Sequence, residues 1–290
     1  MHRLLLMLFA LCLPSLLLAQ PLSVFTSVLP MKSLVERIGG EQVVVQAMVP
    51  PGFNPHVYDP TPQQVKDLAD AALYVRSDVP FEHAWMERIR AVNPHMRMVD
   101  TRDSIPGAEH GHPQPAHPEH AHGHAHEHGT DPHFWTDPIL TERVSRDIRD
   151  ALADLDPANG EVYARNQAQL ARELRALDEE IRDLLAPLHN RTFMVFHPAW
   201  GHFAAHYGLQ QVAIEHEGKQ PGARSLATLI ELARQKDIRV VFVQPQFDER
   251  TAQQVARAID GRVIMVDPLA PDYMANLRRV ARVFAEALQP

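Results

Sequence analysis

Three histidines stand apart by their neighbours: His56 in Asn54-Pro55-His56-Val57-Tyr58-Asp59-Pro60, His133 in Asp131-Pro132-His133-Phe134-Trp135, and His197 in Val195-Phe196-His197. Imidazole is the commonest protein ligand for zinc and related ions, and its neutral form is available near neutral pH. The flanking prolines restrict the backbone and help to hold such a ring in place. His197 directly follows an apolar run at 192–196, and Asp267 directly follows another at 262–266. Both therefore belong at the carboxyl ends of strands, where ligands of open α/β sheets bind. Three imidazoles and one carboxylate, from His56, His133, His197 and Asp267, would fill a tetrahedral zinc shell and leave no position for a substrate. The chemistry implied is capture rather than catalysis. Asp267 carries a plainer reading as a turn residue, with Glu217 or water completing the shell instead.

A different kind of histidine crowds the segment between His110 and His128, which holds eight of the chain's 18. Prolines, glycines and histidines dominate residues 103–130, so this stretch buries little apolar surface and reads as a mobile surface loop. It is either a featureless insertion or a weak multivalent collector that raises the local metal concentration. His202 and His206, on an expected helix, and His216 read as surface or structural residues.

The elements that must position these side chains follow an alternating pattern. Strands are expected at 22–27, 43–49, 72–76 and 96–99, then at 192–196, 211–214, 239–243 and 262–266, with helices between them. Thr61, Pro62 and Gln64 form the start of one helix, a capping box with proline in the first turn. Leu170, Leu174, Leu177, Ile181 and Leu184 recur at helical spacing within 159–188, which predicts one long helix. The fold class is α/β, with two lobes each built on a mainly parallel sheet. They comprise residues 20–156 and 190–290, joined by the helical segment 157–189.

Residues 1–19 read as a secretory leader, with Arg3 before an apolar run and Ala19 at the cleavage point. That run is shorter than the roughly 20 residues a bilayer core demands. Cys12, the only cysteine, lies inside the leader after Leu11, which disfavours lipid attachment. The exported chain then has no thiol for a disulfide or a thiolate metal site. The formal charge of −8, with acids and bases interleaved, excludes nothing but a basic nucleic-acid surface.

These segments, together with Gln244-Pro245-Gln246-Phe247 and Val266-Asp267-Pro268-Leu269, resemble the periplasmic zinc- and manganese-binding proteins that feed ATP-binding-cassette (ABC) metal importers. The resemblance covers nearly the whole mature chain. It implies two lobes joined by a long helix, the ion in the cleft, ligands at His56, His133, His197 and Asp267, and delivery to a membrane permease. His197, where manganese-preferring members tend to carry glutamate, points to Zn(II) as the transported ion. Pro198 departs from the family's frequent acidic residue after the third histidine, so no outer hydrogen bond to that ring is expected from this position. A periplasmic monomer is expected. The rival classes are a secreted zinc hydrolase, for which no His-Glu-x-x-His array exists, and a metal-dependent adhesin or metallochaperone.

Overall fold

Runs of Val, Ile and Phe build two sheets of the same topology. The computed structural model describes residues 20–106, 131–215 and 218–289. In the first lobe, β1 (Leu22–Thr26), β2 (Val43–Ala47), β3 (Leu73–Arg76) and β4 (Arg97–Asp100) pair in the order β2-β1-β3-β4. In the second, β5 (Thr192–Val195), β6 (Gln210–Ala213), β7 (Val240–Val243) and β8 (Arg262–Met265) pair as β6-β5-β7-β8. All pairings are parallel. Each order reverses beside the central strand that comes first in its lobe, and the crevice at such a reversal is where α/β sheets bind ligands.

The helices that cover these sheets obey local sequence chemistry. In α1 (Leu29–Gly39), Met31, Leu34, Val35 and Ile38 are buried at one-face spacing, and Gly40 ends the helix at φ 57°, a conformation that suits glycine. The capping box at Thr61 opens the short α2 (Pro62–Asp67) as expected. After α3 (Pro80–Val92), the carboxylate of Asp137 caps α4 (Pro138–Leu155) through the amides of Ile139 and Leu140.

The long helix, α5 (Gly160–Leu185), spans about 39 Å at 1.5 Å per residue. It starts after a 3-10 turn at Pro157–Asn159 and stops three residues before the expected 188. Its apolar stripe packs against α1 and α4 of the first lobe and against the C-terminal helix α9 (Tyr273–Leu288) of the second. One apolar core therefore runs from Phe25 and Leu34 through Leu174 and Leu177 to Phe242 and Phe284. A smaller cluster around Met194, Val241 and Val255 serves only the outer face of the second sheet, under α7 (Ala223–Gln235) and α8 (Arg250–Ala258). The short α6 (Gly201–His206) completes that lobe between β5 and β6.

Strand ends differ from expectation by one or two residues, at both amino and carboxyl ends, where terminal pairing frays. Thr101–Ser104, whose end overlaps the expected mobile stretch, forms a 3-10 turn beside α4. The histidines from His110 to His128, the leader and the pair His216 and Glu217 lie outside the described residues. No helix among the described residues is long and apolar enough to cross a membrane.

Candidate metal centre

Three Asx-Pro turns frame the crevice. In each, the side-chain oxygen of an Asn or Asp accepts a hydrogen bond from the amide two residues on. His56 N donates to Asn54 Oδ1 (2.9 Å), His133 N to Asp131 Oδ1 (3.0 Å), and Leu269 N to Asp267 Oδ1 (2.9 Å). The first two turns each deliver a histidine. The third delivers Pro268 and Leu269 to the wall of the crevice.

His197 is positioned differently, by sheet register. Val195 pairs with Ala213 of β6 and with Phe242 of β7, so the parallel ladder, continued two residues, sets His197 between Glu215 and Gln244. Gln244 grips the His197 backbone from both sides, accepting from its amide (3.3 Å) and donating to its carbonyl (2.7 Å). Glu215, buried, accepts from His197 Nδ1 at 2.6 Å. The ring also stacks on Phe247, with centroids 4.9 Å apart.

These outer bonds fix tautomers. With Nδ1–H donated to Glu215, the Nε2 of His197 carries a lone pair. Asp131 Oδ1 does the same for His133 by accepting from its Nδ1 at 2.7 Å. The two Nε2 atoms then face each other at 3.4 Å, and His56 Nε2 lies 3.2 Å from that of His197. Two lone pairs so opposed repel unless a cation or a proton lies between them. A tetrahedral zinc with nitrogen ligands at about 2.05 Å separates neighbouring ligand atoms by about 3.3 Å. The three ligand nitrogens all lie within 4.8 Å of one another. The cavity they share with Gln246, Phe247 and Leu269 holds about 20 Å³, room for a single small ion or water.

Burial and neighbouring imidazoles disfavour the protonated forms of His56 and His197. Burial, then the neighbouring His197 and His133, lowers the pKa of His56 to about 4. Burial pushes that of His197 down too, against the opposing pull of Glu215. Burial disfavours the Asp131 carboxylate, yet the adjoining His133 and His202 hold its pKa below the usual range. Gly201 lets α6 approach this carboxylate, since a Cβ there would collide with Asp131 Oδ2.

The structure thus brings His56, His133 and His197 together, two from the first lobe and one from the second. It does not place Asp267 in that cluster: its Oδ1 accepts from Gln246 Nε2 (2.9 Å) as well as from Leu269 N. The residues that the sequence reading missed are Asp131, Glu215 and Gln244. Asp131 carried a local signal, the Asp-Pro-His turn itself. The other two reach His197 only through strand register. His202 Nε2 donates to Asp131 O of the same turn (2.9 Å) and does not join the cluster.

Comparison with known proteins agrees with this geometry. Residues 24–287 match the family model described as zinc-uptake complex component A, periplasmic (ZnuA). The high-affinity zinc uptake system protein ZnuA of Bacillus subtilis is 28% identical over 255 residues, covering 86% of this chain and 78% of that protein. The zinc-binding lipoprotein AdcA of Streptococcus pneumoniae is 25% identical, covering 86% of this chain and 50% of its own. A crystal structure of ZnuA superposes with a TM-score of 0.84 at 35% identity, over 93% of this chain and 100% of that one. The chain belongs to the ZnuA family of periplasmic zinc-uptake components.

Proposed function

We propose that this chain captures Zn(II) in the interlobe cleft and delivers it to the permease of an ABC importer, working as a monomer in the periplasm after removal of a leader ending near Ala19. His56, His133 and His197 hold the ion, and Asp267 supplies the fourth ligand. The carrying observation is the convergence of three imidazole nitrogens, at ion-ligand spacing, from both sides of a cavity the size of one ion. Nitrogen donors favour zinc over manganese by the usual ordering of divalent ions. With Asp267 as the fourth ligand the shell is complete, which suits binding and hand-off rather than turnover, since turnover needs an open coordination position. The segment between His110 and His128 acts as an accessory collector that feeds this site.

The test is a calorimetric titration of metal-free protein with zinc and with manganese, with and without residues 110–128. One zinc per shortened chain, more than one per full chain, and weaker manganese binding are expected. Equal affinity for the two ions would sink the selectivity reading. An unchanged zinc isotherm in Asp267→Asn would remove that carboxylate from the ligand set. Deletion of the protein should abolish zinc uptake at scarce supply.

A further inference from the structure

Behind the metal centre, and not in contact with it, a single histidine joins three elements. His206 closes α6; its Nδ1 lies 3.0 Å from Asp137 Oδ2, at the start of α4 in the first lobe, and its Nε2 lies 2.7 Å from Asp178 Oδ1, on α5. The aspartates are buried and the ring is mostly so. A neutral imidazole has one N–H and one lone pair, so it can satisfy only one of these oxygens. Two carboxylates on opposite ring nitrogens call for the imidazolium.

One neighbouring charge opposes this: Arg182 Nη2 of α5 lies 3.0 Å from His206 Nε2. It is also 3.0 Å from Asp178 Oδ2, so the aspartate is shared between two cations, and the shorter 2.7 Å contact of Nε2 with Asp178 Oδ1 keeps the proton on the ring. Just beyond α6, the phenol of Tyr207 packs against the ring. From α9, Tyr273 donates to Thr141 Oγ1 of α4, so it supplies no charge. The hydrogen bond to Asp137 leads the causes that raise the His206 pKa, over the opposing effect of burial.

The two tied segments are those that carry metal ligands. Asp137 follows His133 by four residues, through the 3-10 turn Phe134–Thr136, whose last amide donates to His133 O. Helix α6 begins four residues after His197 and abuts the Asp131 that orients His133. We propose that His206 is a positioning residue for the metal centre, an imidazolium clamped between Asp137 and Asp178 that fixes the His133 turn of one lobe against the His197 segment of the other. Losing its proton frees one of the two links and loosens the back of the cleft. The inference builds on the proposed zinc site for its kinetic consequence, whereas the charge state of the ring stands independently of it.

Two measurements on the full chain test it. In the first, the His206 ring is titrated by NMR, its signals assigned by their loss in His206→Gln. It should titrate above the 6.5 of an unperturbed histidine, and Asp178→Asn should lower that value. Titration at or below 6.5 overturns the proposal. In the second, zinc is drawn off by a chelator between about pH 7 and pH 9, where free histidines are mostly neutral. Wild-type release should accelerate as the ring deprotonates. In His206→Gln it should be fast throughout and flat with pH, by about tenfold at the acid end, the effect of one charge-assisted hydrogen bond. Parallel pH profiles in the two proteins would also overturn it. Should His206→Gln not fold, Asp178→Asn carries the same kinetic comparison. A protein that binds no zinc would refute the proposed function while the ring titration still decides the clamp.

Discussion

The His56 turn and the His133 turn are built alike and behave differently. Both are Asx-Pro-His, and both histidine amides return to the side chain two residues back. In one the turn residue is Asn54, in the other Asp131. The carboxylate has capacity for a second bond and spends it on His133 Nδ1, which fixes that ring; the Asn54 amide makes no such bond, and His56 Nδ1 has no hydrogen-bond partner among the described residues. His56 is also the least buried of the three. Its loop is steadied from outside instead, by Phe81 N donating to Pro55 O, by Tyr58 packed on Phe81, and by Trp85 Nε1 donating to Asp59. One side of the centre is preorganised and the other can adjust. That division suits a site that must admit an ion and later yield it.

The largest expected effect breaks the fixed side outright. His197→Ala removes the ring that both other imidazoles approach, and zinc affinity measured by competition with a chromogenic chelator should fall by more than about 100-fold, beyond what loss of an outer partner costs. His56→Ala should cost less. If the two losses were equal, the contrast between fixed and adjustable ligands would fail.

Next come the outer carboxylates. Asp131→Asn converts the second turn into a copy of the first and should weaken zinc binding by roughly 10–100-fold, as should Glu215→Gln. In both, the melting temperature of the metal-free protein, followed by circular dichroism, should change far less than affinity does.

Acidity tests the same rings without mutation. An unfolded histidine titrates near 6.5 and folded His56 at about 4, so between these values the unfolded chain binds a proton that the folded chain refuses. Stability is therefore fully present above 6.5 and is lost as the pH falls toward 4. Thermal melts of metal-free protein at descending pH should show this decline, and His56→Gln should flatten it. Because His56 and His197 are already neutral near pH 7, zinc uptake there should release few protons from them, which calorimetry in buffers of different ionisation enthalpy measures directly.

The smallest effect sharpens the comparison. Asn54→Asp offers His56 the carboxylate it lacks and should slow zinc release by a few-fold, the scale of one modest added hydrogen bond. Stopped-flow chelation would detect it, and release faster than wild type would mean that His56 gains nothing from being held.

How much of this was written locally in the chain follows from the reach of each interaction. The strands announced themselves as short Val- and Ile-rich runs, and α5 as a leucine stripe, because these patterns repeat within a few residues. His56 and His133 were legible through their prolines, and His197 through its place after an apolar run. Glu215 and Gln244 were not. Each meets His197 by lying at the same rung of a parallel sheet, 18 and 47 residues further along, and hydrophobic periodicity says nothing about which strands will be neighbours. Asp267 illustrates the converse: its place after β8 was legible, while its Oδ1 serves the turn and Gln246, and it is Pro268 and Leu269 that line the cavity.

The continuous apolar core along α5 has a mechanical consequence. Because Leu174 and Leu177 share their packing with side chains of both sheets, swinging the halves wide apart would strip hydrocarbon bare to water, at a cost that grows with every square ångström uncovered. That cost favours a shallow rocking about a stiff spar over a wide opening.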